Sequence, residues 1–138
     1  MLKLLKLAAE YSQSNSKDKR TYFLGAVGVR ADGRIVHSRN EAVHDTCDRS
    51  KLGQFSIYKR FPESHAEARL TKKLGFNGTV YVARIAKGTN DLAMARPCCC
   101  CQAILKAFRV DNVFYSISPK EWGRWHVRTN TDSFYGLK

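Results

Sequence analysis

Apolar residues near the start of the chain fall at Leu2, Leu5 and Ala9, with Lys3, Lys6 and Glu10 between them. That period predicts an amphipathic helix over 1–11 with the apolar stripe turned inward. Ser12 to Arg20 is polar without periodicity and reads as a connection or a helix end. Two β-rich runs follow, TYFLGAVGVR and RIVHSRN, separated by Ala31, Asp32 and Gly33. The Asp-Gly pair supplies the positive backbone dihedrals of a tight turn, so an antiparallel hairpin is predicted. Residues 41–63 lose the periodicity, contain Gly53 and Pro62, and intersperse Phe55, Tyr58 and Phe61 with basic residues. They read as a long loop with a short helix, of the length that often carries function.

The pattern becomes regular again at Ser64. SHAEARLTKKLGF has a helical period that ends near Gly75, and TVYVARI is a strand between Gly78 and Gly88. PCCCCQAILKAF predicts a second motif-bearing helix, with Pro97 in its first turn and Ala103, Ile104, Ala107 and Phe108 as its apolar face. VFYSI is a fourth strand and EWGRWHV a fifth. Only Ser118, Pro119 and Lys120 lie between them, too few for a crossover helix, so the two should be antiparallel. Strands alternate with helices in an α/β chain with five strands, read as one domain over 1–138, without a repeat or a dividing linker.

Composition narrows the class. A hydrophobic fraction of 43% and a charged fraction of 26% are those of a soluble protein, and no apolar run is long enough to cross a bilayer. Twenty-four Lys and Arg against twelve Asp and Glu leave a net charge of +12, which favours a polyanionic or phosphorylated partner. Five cysteines, four of them contiguous at 98–101, do not form the evenly paired framework of a secreted domain, and a reducing cytoplasm is the expected compartment.

The chemistry concentrates in two short motifs, H-A-E at 65–67 and P-C-x-x-C at 97–101, each at the predicted start of a helix. Taken alone, Ser64-x-x-Glu67 is a capping box, His65 a polar surface residue and the cysteines a structural half-site. Taken together and in order, with one strand between, they supply the donor count of a catalytic zinc site: His65, Cys98 and Cys101, with a fourth position left for water. The positive end of the helix favours the thiolate forms. Zinc lowers the pKa of its water to about 7, and a carboxylate two residues from the histidine, Glu67, can take that proton and pass it on. His37, His44 and His126 lack ligand spacing, and Cys47 reads as a buried or idle thiol.

H-x-E with P-C-x-x-C is the signature of zinc-dependent nucleobase deaminases. With the order helix, hairpin, HAE helix, strand, PCxxC helix and two strands, nearly the whole chain resembles the cytidine deaminase-like superfamily. The resemblance implies a three-layer α/β/α fold around a five-stranded mixed sheet whose last two strands are antiparallel. It also implies one Zn2+ per chain held by His65, Cys98 and Cys101, and Glu67 as the proton carrier. It gives Asn40, at the end of the second strand, a contact with the substrate's sugar, and the substrate side is expected to include Ala66, Phe61 and Arg96. Arg96 and the extra thiols Cys99 and Cys100 depart from the usual pattern. The implied reaction converts a cytosine base to uracil and ammonia, on a pyrimidine nucleoside, a nucleotide or single-stranded nucleic acid. Adenine chemistry uses the same groups, and a non-catalytic, zinc-stabilised nucleic-acid-binding protein would use the same ligands. Dimers or tetramers are common among the proteins it resembles.

Overall fold

Alternation of side chains decides the middle of the molecule. In β1 (Phe23–Val29), Leu24 and Ala26 belong to one buried cluster and Val27 to another, so the strand is covered on both faces. β1 pairs antiparallel with β2 (Ile35–Arg39) on one side and with β3 (Thr79–Ile85) on the other. The turn between β1 and β2 spans Ala31, Asp32 and Gly33, as expected, and closes between Arg30 and Arg34. Arg30 N–H donates to the Arg34 carbonyl, and only Gly33 in this turn has a positive φ, 90°. Asp32 accepts the Arg34 N–H at its carboxylate.

The structure is a computed structural model and describes residues 2–12, 23–40, 65–86, 88–89 and 91–136. The expectations for 13–22 and 41–64, including Phe61, Cys47 and His44, lie outside the described residues. Three helices are described: α1 (Leu2–Ser12), α2 (Ala66–Leu74) and α3 (Cys99–Ala107). None is long and apolar enough to cross a membrane.

The strand order is β2-β1-β3-β5-β6-β7, with β5 at Asn112–Ser118, β6 at Glu121–His126 and β7 at Thr131–Gly136. β4 (Leu92–Ala93) pairs with the end of β3. Among the described residues the sheet therefore has seven strands and not the expected five. β4 is two residues long, too short to leave a pattern, and β7 follows a turn at Asn130, whose φ is 54°. The sheet is mixed: β3 and β5 run parallel, joined through α3, whereas β5 and β6 are antiparallel, as expected, and so are β6 and β7.

α1 packs on one face against Val27 and Ala83, and α2 and α3 cover the other against Val80, Val82, Val113 and Trp125. α1 buries Leu5, Ala8 and Ser12, whereas Ala9, expected inward, is half-buried. It lies so close to β1 that a Cβ on Gly25 would sit 2.0 Å from the Ala8 carbonyl oxygen, so only glycine permits this approach. In α3 the buried positions are Cys101 and Leu105; Ala103 and Ala107, assigned to the apolar face from sequence, are exposed. The face is rotated because Cys101 is itself a core residue, at 0% exposure.

Candidate metal centre

Both motifs sit where a strand edge holds the first turn of a helix. His65 is the N-cap of α2, with extended backbone, and its carbonyl accepts the Arg69 N–H at 3.0 Å. The side chain of Ser38 in β2 donates to the Ala66 carbonyl at 2.5 Å, tying this turn to the sheet. Because the cap is His65, Glu67 occupies the second helical position, not the third from which a capping box closes.

The second motif is held by Ser116 of β5, which is buried. Its hydroxyl donates to the Ala93 carbonyl at 2.7 Å, and its carbonyl accepts the Ala95 N–H at 2.9 Å. The chain then enters α3 through Pro97 and the N-cap Cys98, so Pro97 precedes the helix and does not lie in its first turn. Gln102 turns back to donate its side-chain amide to the Pro97 carbonyl at 2.8 Å, and its N–H bonds the Cys98 carbonyl. These bonds set Cys98 beside Cys101 at the helix's positive end.

The two helix starts meet. His65 Nδ1 lies 3.3 Å from Cys101 Sγ and 3.5 Å from Cys98 Sγ, and the three ligand atoms are all within 4.8 Å of one another. Tetrahedral ligands bound at about 2.0 Å (N) and 2.3 Å (S) stand roughly 3.5 Å apart, so the cluster is already at coordination spacing and can hold a metal ion. Cys99 is exposed, and neither it nor Cys100 joins the cluster.

Electrostatics agree with the geometry. Cys98 is pulled down to about 3, chiefly by the Cys101 thiol and then by His65; Cys101 is pushed up by Cys98 and by burial. The pair therefore favours a thiolate at Cys98, the form that ligates a divalent cation. Glu67 is 2% exposed, and burial raises its carboxyl from 4.5 to about 7, against the opposing pull of its own backbone N–H and of His65. Its Oε1 is buried with no hydrogen-bond partner among the described residues.

The other described residues expected at the site, Ala66, Asn40 and Arg96, have these surroundings. Ala66 is fully buried at the head of α2. Asn40 is 3% exposed, and its side-chain oxygen accepts the Leu24 N–H at 2.9 Å while its own N–H bonds the Leu24 carbonyl, so it closes the end of the hairpin. Arg96 is engaged by the protein itself. Its Nε bonds Asp132 Oδ2 in β7 at 3.1 Å, and its guanidinium lies 5.7 Å from the centre of the fully buried Trp125 ring. The residue before Pro97 is therefore strapped to the last strand of the sheet. Trp125 packs with α3, as expected of the tryptophans, but Trp122 lies on the other face, stacked on Tyr135 at 4.2 Å.

Sequence reasoning missed Asp132 because the last strand was not recognised; the alternation in TDSFYG after an Asn turn was the available signal. It also missed the outward face of α2, where Arg69, Lys72 and Lys73 are spaced i, i+3, i+4. The chain matches no protein-family model and no curated protein sequence.

Proposed function

We propose that this protein is a zinc-dependent hydrolytic deaminase of a nucleobase, acting on cytosine, with the three-layer architecture of the cytidine deaminase-like superfamily. One observation carries the proposal: a buried carboxyl, Glu67, one of whose oxygens has no partner among the described residues, stands two residues from His65, which clusters with Cys98 and Cys101. An imidazole and two thiols suit zinc, and three protein donors leave a coordination position open, whereas a purely structural site closes with a fourth. When bound, zinc supplies a water acidic enough to react at neutral pH.

The chain's own residues do the rest. Glu67, with a pKa near neutrality, can both take a proton from that water and return it. Deamination needs this cycle: oxygen adds at C4 of the ring, the ring nitrogen takes a proton, and the exocyclic amine leaves as ammonia after receiving another. Ser38, through the Ala66 carbonyl, and Gln102, through the Pro97 carbonyl, keep the two helix starts in register so that the carboxyl and the ligands do not drift apart.

The test is ammonia release from metal-analysed protein on cytidine, deoxycytidine, their monophosphates, a cytosine-containing single-stranded oligonucleotide and the adenine equivalents. Release that Glu67→Gln abolishes while zinc stays bound is the expected result. Release from the adenine compounds alone would move the substrate to adenine, and silence across the panel with one zinc bound would overturn deamination in favour of a binding role.

A further inference from the structure

A second feature lies along the same helix, away from the metal cluster. A cavity of about 510 Å³ opens at the outer edge of the sheet, beside β2, between the end of α1 and the exposed face of α2. Arg39, Arg69, Lys72 and Lys73 line it, with Tyr11 and His37 on the α1 side. Four cationic side chains around one opening, in a chain of net charge +12, form a site for anions.

The geometry ties this cavity to the metal cluster. His65, Arg69 and Lys72/Lys73 follow one another at i, i+4 and i+7/i+8, a single stripe of α2. At 1.5 Å per residue the cations stand about 6 to 12 Å along the helix from the histidine. A stacked nucleic-acid strand carries one phosphate per about 3.4 Å, so that interval spans roughly two to four nucleotides. Arg69, Lys72 and Lys73 lie within one turn and Arg39 of β2 adds a fourth cation to the same opening, more positive charge than the one phosphate of a nucleotide, at most about −2, neutralises; a run of phosphates can match it. Tyr11 and His37 are stacked, with ring centres 3.7 Å apart and planes 3° from parallel, an aromatic surface on which a neighbouring base can stack. Pairing of β2 with a strand from another protein is disfavoured at the same place, because Lys73 Nζ already donates to the His37 carbonyl at 2.8 Å.

We propose that this cavity binds the phosphodiester backbone of a single-stranded nucleic acid, a few nucleotides from the base presented to the His65 cluster. The placement of that base rests on the deaminase function proposed above; the binding of the backbone does not.

The test uses zinc-loaded Glu67→Gln protein, so that no turnover disturbs binding, and fluorescence anisotropy with a labelled cytosine-containing single-stranded oligodeoxynucleotide across a salt series. Arg39→Gln combined with Lys72→Gln should weaken binding at least tenfold at low salt. It should also reduce the slope of log K against log salt by about 1.4, at about 0.7 for each phosphate no longer neutralised. Both positions are exposed, and an unchanged thermal midpoint and zinc content verify that the variant is folded. Affinity and slope equal to those of the background protein would overturn the proposal, as would full displacement of the oligonucleotide by millimolar cytidine monophosphate or inorganic phosphate. Ammonia release by the parent protein is scored separately. Binding that needs Arg39 and Lys72, without any deamination, would overturn the reaction and leave the backbone site standing.

Discussion

The two halves of α2 are built on opposite terms. Its first turn, Ala66 to Ala68, is buried, Ala66 is tied to β2 by the Ser38 hydroxyl, and the Glu67 Oε1 has no partner among the described residues. Its outward stripe, Arg69, Lys72 and Lys73, is exposed and carries charge that water solvates at little cost. The same helix therefore offers an interior end, where one carboxyl is perturbed from 4.5 to about 7, and an exterior side whose charges act through solvent. Chemistry needs the first kind of environment and long-range attraction needs only the second. The contrast teaches where substitutions will be felt: at the head through reaction and metal, along the stripe through binding and its salt dependence.

The sharpest break in that contrast is Glu67→Gln. Turnover should fall by about 10²- to 10⁴-fold, the contribution of a positioned proton carrier, with zinc content unchanged. The thermal midpoint of this variant should hold or rise, because a buried acid with one oxygen unpartnered among the described residues is replaced by a neutral amide. Turnover within about twofold of the parent, far inside that range, would remove the carboxyl from the mechanism.

Next in size is the metal itself. Cys101→Ser should abolish stoichiometric zinc binding, measured by elemental analysis, and a chelator should lower the thermal midpoint of the parent but not of this variant. Cys99→Ser, at an exposed position outside the cluster, should change neither. Equal zinc loss from both would mean that the liganding cysteines are not Cys98 and Cys101.

Smaller effects test the scaffold that holds the head of the helix. Gly25→Ala drives a methyl group against the Ala8 carbonyl and should destabilise the protein by about 1–3 kcal/mol in chemical denaturation. Asp132→Asn removes the charge partner of Arg96. With Arg96 33% and Asp132 22% exposed, solvent screens part of the loss, and a cost on the order of 1–2 kcal/mol is expected. Because Arg96 leads into Pro97 and Cys98, the same variant should also weaken zinc affinity. A loss of stability with unchanged zinc affinity would separate the last strand from the site.

The parts of this molecule that the sequence determined by itself are those whose signal is local. The strand at 79–85 appears with the expected ends because TVYVARI is apolar, β-branched and bounded by glycines. α2 ends where Gly75 adopts a φ of 72°, a conformation other residues resist. The antiparallel pairing of β5 with β6 follows from a connection too short for anything else. The His65, Cys98 and Cys101 cluster was legible for the same reason: its members are spaced within motifs, and three positions at a helix start put the two sulfurs within reach of each other.

Only the tertiary structure decided the rest. Arg96 could not be assigned from sequence because its partner, Asp132, is 36 residues away in a strand that forms only by pairing with β6. The bond between the Asn40 side-chain oxygen and the Leu24 N–H, which closes the end of the hairpin, exists only once β1 and β2 are paired. The face of α3 turned because a cysteine, not the alanines, fills the core, and burial depends on what packs opposite and not on hydropathy alone. The perturbed carboxyl of Glu67 is the clearest case. Its position in the sequence marks it as an acid near a histidine, but the loss of water that moves its pKa exists only once β2, α2 and α3 have closed around it.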